Sequence, residues 1–146
     1  MRAVVQRAAW ARVSVGGEVV GSLDGPGLVV LLGVGAGDGE KQAASMASKI
    51  WGLRIMDDEE GRMNLSVVEV GGGLLVISQF TIYGDASRGR RPSYAAAAPG
   101  EVAEPLVGRV VEQLRSFGAR VATGRFGAEM LVELGNDGPV TLIIDT

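Results

Sequence analysis

Two uninterrupted apolar runs constrain the fold more than any other feature of the sequence. They cover residues 28–32 (LVVLL) and 74–77 (LLVI), and glycine or serine bounds each of them. A run of this length with no polar position is typical of a strand that is covered on both faces. The sequence therefore predicts two strands at the centre of the fold.

The remaining pattern predicts one α+β domain over residues 1–146, which is strand-rich and has two helices. Gly16-Gly17 is a hairpin signal between two strands. Asp38 is predicted to cap the first helix and Gly118 to end the second. Asn136-Asp137-Gly138-Pro139 is predicted to be a tight turn between two strands. The other predicted strands cover 2–15, 18–23, 53–56, 119–123, 128–134 and 140–144, and the helices cover 39–51 and 102–117.

Composition excludes several kinds of chemistry. The chain has no Cys and no His, so it offers no disulfide, no thiolate nucleophile, no imidazole base and no Cys/His metal site. We therefore assign no metal ligand and no cofactor, and the sequence leaves open whether a metal ion assists turnover. The net charge of −3 provides no general attraction for nucleic acid, and we expect no DNA partner. No signal peptide and no run near ~20 apolar residues is visible, which predicts a cytoplasmic protein without a membrane partner.

Polar residues follow the second apolar run, in the order Ser78-Gln79-Phe80-Thr81. The end of a buried strand is a suitable place for a catalytic site. A Ser78 or Thr81 nucleophile would need an activating base, and no histidine is present. The backbone amides of this segment can stabilise an oxyanion without any side chain. We therefore predict that it acts mainly through its backbone.

Three arginines, Arg88, Arg90 and Arg91, lie within four residues of an otherwise acidic chain. A solvated loop is the simpler interpretation, and a phosphate contact is the functional one. Gly33, Gly35 and Gly37 resemble a dinucleotide-binding motif only poorly, because Asp38 stands where a phosphate would need a neutral helix start. We interpret those glycines as a turn.

Several segments, taken together and in order, resemble the D-aminoacyl-tRNA deacylase family along the whole chain. Mild departures from the family pattern are Trp10, Ile82 and Tyr94. The segments that carry the resemblance are residues 1–7 (MRAVVQR), 78–81 (SQFT), 91–94 (RPSY), 123–130 (TGRFGAEM) and 136–141 (NDGPVT).

The resemblance implies a deacylase-like fold with a barrel-like β-sheet core, and a homodimer whose active sites are shared between subunits. The implied reaction is hydrolysis of the ester that joins a D-amino acid, or glycine mischarged onto tRNA for alanine, to the tRNA 3′ end. The 2′-OH of the tRNA would assist hydrolysis, and the amides of Gln79 and Phe80 would face the developing oxyanion.

The resemblance also assigns roles to residues outside that segment. A cis Gly138-Pro139 pair would reach into the partner's site, hold the α-amino group and reject L side chains. Arg7 would orient the Gly-Pro loop, and Met130 would line the pocket near the terminal adenosine.

Two other functions stay open on the sequence alone. One is a related editing deacylase with the opposite chirality preference, in which the Gly-Pro bond would be trans. The other is an RNA-binding module without catalytic activity, which would use Arg88, Arg90 and Arg91. Hydrolysis of D- or L-aminoacyl-tRNA would distinguish these possibilities.

Overall fold

A computed structural model describes all residues from 1 to 146. It confirms a strand-rich α+β domain with two helices. A short 3₁₀ turn, Phe80–Tyr83, follows the sixth strand. The strands are β1 (Arg2–Val15), β2 (Glu18–Leu23), β3 (Gly27–Gly33), β4 (Met56–Asp57), β5 (Met63–Leu65), β6 (Gly73–Ser78), β7 (Val121–Thr123) and β8 (Leu131–Asp145), and the helices are α1 (Glu40–Trp51) and α2 (Gly100–Ser116).

The long strand β1 organises the sheet, because three other strands pair with it. Its first half pairs antiparallel with β3, its second half with β2, and its other edge with β8 along most of its length. Beyond β3 the sheet continues with β6 and β7, both in parallel register. The strand order is β2-β1-β3-β6-β7, with β8 on β1.

A close approach of β2 to β7 nearly closes this sheet into a barrel. It depends on Gly21, because a Cβ added there would lie only 2.5 Å from the carbonyl oxygen of Thr123. No larger residue fits this position without moving the backbone. The barrel-like core predicted from the sequence is therefore confirmed, and a glycine on β2 allows its closure.

The two apolar runs are buried on both faces, as predicted. Leu28, Val30 and Leu32 of β3 face a core of 22 buried residues that α1 and α2 cover. Val29 of β3 faces a second cluster of seven buried residues inside the barrel. Strand β6 alternates in the same way, since Leu74 and Val76 belong to the first cluster and Leu75 and Ile77 to the second.

Asp38 does not cap α1, so that prediction is wrong. Its carboxylate accepts hydrogen bonds from the Met1 ammonium at 2.7 Å and from the Gly35 amide at 2.6 Å. Gly39 is the N-cap residue, and its amide donates to the Gln42 side chain at 3.0 Å. The Met1 ammonium, which directly precedes β1, therefore binds the Asp38 carboxylate that was expected to cap the helix.

One strand prediction and one turn prediction also need correction. The short strand predicted at 53–56 is reduced to β4, which begins at Met56. The turn predicted at 136–139 does not reverse the chain, because both halves of β8 pair with β1. Gln6 pairs with Thr141 and Ala8 with Asn136, so residues 137–140 bulge out of the ladder.

Neither helix combines the length and the hydrophobicity that a membrane-spanning helix requires.

Candidate functional site

A pocket of about 520 Å³ opens where β3 and β6 end. Four predicted site residues, Ser78, Gln79, Phe80 and Met130, line it. The two parallel strands bring their carboxyl ends to one edge of the sheet, where Leu32 pairs with Ser78. The other lining residues are Leu32, Val34, Ile77, Ala98, Gly100, Ala103, Val107, Phe126, Gly127, Ala128 and Val132.

The pocket lining contains no titratable side chain. Eleven of its 15 residues are hydrophobic, and its polar side chains are the Ser78 hydroxyl and the Gln79 carboxamide. Neither of these can act as a general base at neutral pH. Chemistry in this pocket therefore has to use backbone donors, water and groups of the substrate.

The backbone of the predicted catalytic segment is only partly available for a ligand. The Gln79 amide donates to the carbonyl of Leu32 at 2.8 Å, so this donor is used within the fold. Phe80 begins the 3₁₀ turn, and amides at the start of a helical turn have no partner inside it. Of the two predicted oxyanion donors, the geometry favours Phe80.

Thr81 lies outside the pocket lining, and its side chain is exposed. Its hydroxyl oxygen accepts a hydrogen bond from the Gln79 carboxamide nitrogen. The contact ties Thr81 to the start of the 3₁₀ turn. A positioning role fits this geometry better than a nucleophilic one.

Met130 lines the pocket, and its side chain packs against Gly124. A Cβ added at Gly124 would lie 2.5 Å from the Met130 sulfur and 3.3 Å from Ile77. Glycine at this position therefore allows the thioether to pack against the end of β6. This contact gives a physical reason for the glycine in the TGRFGAEM segment.

Arg7 and the Gly138-Pro139 pair form a second group. The peptide bond between Gly138 and Pro139 is cis, as the resemblance implies. The Arg7 side chain is 7% exposed. Its Nη1 donates to the Ile55 carbonyl and to the Asp57 carboxylate, each at 2.9 Å.

This second group does not reach the pocket of its own chain. Arg7 pairs with Leu28 at the start of β3, whereas the pocket-lining Leu32 lies near the end of that strand. Four residues of strand span about 13 Å. Arg7, Gly138 and Pro139 are absent from the pocket lining. One chain therefore holds the two groups of predicted site residues apart.

The three arginines lie on an exposed loop that is closed at its base. The amide of Asp85 donates to the Ser93 carbonyl at 2.8 Å, and the amide of Ser93 donates to the Asp85 carbonyl at 2.9 Å. Hydrogen bonding to the Ser87 side chain, and then to the Ser87 amide, lowers the pKa of the Asp85 carboxyl. Arg88, Arg90 and Arg91 form no ion pair and no hydrogen bond.

Sequence reasoning missed one wall of the pocket. This wall comes from the segment before α2 and from the first turns of α2. Its residues are Ala98, Gly100, Ala103 and Val107. Ala103 and Val107 lie four positions apart and so share one side of the helix. The spacing alone could have shown that Ala103 and Val107 share a helix face. Only the position of α2 against β3 shows that this face borders a pocket.

Comparisons with known proteins identify the family of this chain. The chain matches the D-Tyr-tRNA(Tyr) deacylase family over residues 4–145. It is 59% identical to the D-aminoacyl-tRNA deacylase of Symbiobacterium thermophilum, covering 100% of this chain and 96% of that protein. It is 57% identical to the D-aminoacyl-tRNA deacylase of Thermobifida fusca, covering 99% of both chains.

Solved structures show the same fold. A structure titled "c-Myc DNA Unwinding Element Binding Protein" matches with a TM-score of 0.93 and 39% identity, over 100% of this chain and 99% of that one. A probable eukaryotic D-amino acid tRNA deacylase matches with a TM-score of 0.82 and 17% identity, over 99% of this chain and 98% of that one. At the latter identity the likeness concerns the fold alone.

The family match and the curated relatives define the class of protein, which is a deacylase that hydrolyses an ester bond. Within this class, the chain belongs to the D-Tyr-tRNA(Tyr) deacylase family. The resemblance seen in the sequence is thereby confirmed.

Proposed function

We propose that this protein hydrolyses the ester between a D-amino acid and the 3′ end of tRNA. One observation carries the proposal: the strand-end pocket contains Ser78, Gln79, Phe80 and Met130 but no titratable side chain. An ester hydrolase whose own pocket lacks a base can take the assisting polar group from the substrate. The 2′-OH beside the 3′ ester of a charged tRNA is such a group.

In the proposed reaction, water adds to the ester carbonyl carbon and the bond to the 3′ oxygen breaks. The attacking water loses a proton and the departing 3′ oxygen gains one, with the neighbouring 2′-OH assisting this transfer, which leaves a free amino acid and an uncharged tRNA. The Phe80 amide faces the developing oxyanion, where a fixed donor stabilises the transition state. Met130 contacts the terminal adenosine, and Gln79 with Thr81 fixes the 3₁₀ turn that carries the donor.

We further propose that the active site is completed in a homodimer. The Gly138-Pro139 pair and the pocket lie apart within one chain, so the pair of one subunit would serve the pocket of its partner. Arg7 supports this arrangement, since it holds the chain beside Gly138. Carbonyl oxygens of the pair would bind the α-amino group, and the backbone there would exclude an L side chain.

Two further features belong to the same proposal. Glycine has no side chain to exclude, so glycine mischarged onto tRNA for alanine would also be a substrate. A protein that edits charged tRNA would work in the cytoplasm, where aminoacylation takes place. The Arg88, Arg90 and Arg91 loop would contact the phosphates of the bound tRNA.

The deciding experiment compares hydrolysis of matched D-tyrosyl-tRNA and L-tyrosyl-tRNA by the purified protein under single-turnover conditions. The expected result is release of D-tyrosine with L-tyrosyl-tRNA left intact. Hydrolysis of the L-ester alone would identify an editing deacylase of the opposite preference. Binding of tRNA with no hydrolysis of either ester would identify an RNA-binding module.

A further inference from the structure

Two exposed aromatic rings, one of which lines the pocket, pack against each other. Phe80 is 55% exposed and Tyr94 is 39% exposed. Their ring centroids are 5.2 Å apart, and the ring planes meet at 73° in an edge-to-face contact. Phe80 also lines the pocket. The pair therefore forms an apolar surface that continues from the pocket toward solvent.

The backbone fixes the position of the Tyr94 ring. A Cβ added at Gly84 would lie 2.9 Å from Cε1 of Tyr94, so the ring packs directly on the glycine. The Tyr94 carbonyl accepts a hydrogen bond from the Ala97 amide at 3.0 Å. Ser93, the preceding residue, pairs with Asp85. These contacts hold the Tyr94 ring against Gly84, and a ring that is already in place lowers the entropic cost of binding.

The aromatic pair lies between the pocket and the arginine loop. Phe80 borders the pocket, Tyr94 packs on Phe80, and Ser93 next to Tyr94 closes the loop that carries Arg88, Arg90 and Arg91. These arginines have no partner in a chain of net charge −3. A ligand that spans this surface should carry planar apolar groups near the pocket and negative charge near the loop.

Single-stranded nucleic acid has this distribution of groups. Bases stack on aromatic side chains, with little dependence on sequence, while the backbone follows arginines. We propose that the Phe80–Tyr94 pair binds an unpaired base of the tRNA 3′ end, namely a nucleotide just upstream of the adenosine that carries the ester. This inference rests on the proposed function and adds to it a base-binding subsite, with Tyr94 as its principal residue.

The experiment compares two minimal substrates, D-tyrosyl-adenosine and D-tyrosyl-CpCpA. Only the second has bases upstream of the ester-bearing adenosine. Tyr94→Ala should lower the ratio of kcat/KM for CpCpA ester over adenosine ester about tenfold, because loss of one base–aromatic stack has an effect of this size. The change should appear in KM, and Tyr94→Phe should keep the ratio of the unmodified protein.

Val19→Ala is the matched control, because Val19 is 51% exposed on β2 and no role in the site is assigned to it. This variant should leave the ratio unchanged. Binding of uncharged CpCpA is measured in parallel and should weaken by a similar factor in Tyr94→Ala. This binding measurement tests the stacking contact even if neither ester is hydrolysed. Absence of hydrolysis would overturn the proposed function but not the base-binding subsite.

Two results would overturn the subsite. An equal loss on both substrates, with CpCpA binding unchanged, would mean that Tyr94 acts only by holding Phe80. Dissociation of a dimer into monomers in Tyr94→Ala, measured by sedimentation, would mean that a second copy of the chain covers the aromatic pair.

Discussion

The guanidinium of Arg7 holds the backbone of Asp137, the residue that precedes Gly138. Its Nε donates to the Asp137 carbonyl at 3.3 Å and lies 3.4 Å from the Asp137 carboxylate. The same side chain donates to the carbonyl of Ile55. One buried arginine therefore joins β1, the segment before β4 and the bulge of β8.

Replacing Arg7 by methionine should lower both stability and activity. Arg7→Met keeps much of the volume but removes the donors to Asp137, Ile55 and Asp57. We expect the free energy of unfolding to fall by at least about 1.5–3 kcal/mol, the usual range for a single hydrogen bond to a charged group. Urea denaturation measures this change, and D-tyrosyl-tRNA hydrolysis should fall with it.

Arg12→Met is the control for this prediction. Arg12 forms a bidentate pair with Glu133 at 2.7 and 2.8 Å, but its side chain is 51% exposed. Exposed pairs contribute less than about 1 kcal/mol. Similar losses of stability in the two variants would contradict the assignment of Arg7 as the residue that anchors the Gly138-Pro139 loop.

Gly138→Ala should impair hydrolysis by displacing the bulge of β8. Gly138 has a φ of +116°, and an added Cβ would lie 2.8 Å from Cγ2 of Val140 and 3.0 Å from Nη2 of Arg7. The loop has to move, and a misplacement of about 1 Å at a site can reduce rates about 100-fold. The rate of D-tyrosyl-tRNA hydrolysis is the measurement.

Gly17→Ala separates backbone strain from the clash at Gly138. Gly17 also has a positive φ, +85°, but an added Cβ there meets nothing within 4 Å. Gly17→Ala should therefore lower stability without changing the rate per folded molecule. If Gly17→Ala lost as much rate as Gly138→Ala, the clash of the added Cβ at position 138 would not explain the loss of hydrolysis.

Thr81→Ala should retain substantial activity. The Thr81 hydroxyl is exposed, lies outside the pocket lining and is engaged by the Gln79 carboxamide. We expect the rate to fall by less than about tenfold, whereas loss of a central catalytic group costs about 10²- to 10³-fold. A drop of that larger size in single-turnover hydrolysis would establish Thr81 as a group of the chemical step.

A tRNA that ends in 2′-deoxyadenosine should bind the protein but be hydrolysed very slowly. The pocket supplies no titratable side chain, so removal of the 2′-OH removes the assisting group in the proposed mechanism. Binding of the uncharged tRNA, measured separately, should stay close to that of the ribose form. Rapid hydrolysis of the deoxy substrate would require a protein group in place of the 2′-OH.

Local sequence patterns predicted the central strands and both helices because burial follows the period of each element. Residues 28–32 and 74–77 lie on neighbouring parallel strands with apolar clusters on both faces. The 3₁₀ turn after β6 was missed, although the polar segment 78–81 was recognised. Its conformation depends in part on the Leu32 carbonyl, which accepts from the Gln79 amide.

Long-range contacts explain the features that sequence patterns did not reveal. Asp38 has the local signature of a helix cap, yet the Met1 ammonium, 37 residues away, binds it instead. Arg7 was identified only through the family resemblance, since its partners Ile55 and Asp137 are 48 and 130 residues distant. No local periodicity contains such information.

Replacing Arg88, Arg90 and Arg91 together by alanine should weaken tRNA binding and reduce its salt dependence. The three side chains are exposed and form no ion pair, so their charge is available for phosphates. Loss of three phosphate contacts should reduce the slope of log K against log salt by about 2–3. The rate at saturating tRNA should change far less than the affinity.

The matched control for this triple variant replaces Arg12, Arg62 and Arg109 by alanine. It makes the same change in net charge, but each of these arginines is already paired with a carboxylate. Its salt slope should stay near that of the unmodified protein, because no phosphate contact is lost. If the two triple variants changed the slope equally, net charge would explain the effect. If the loop variant lowered the saturated rate while binding stayed constant, the loop would act in the chemical step.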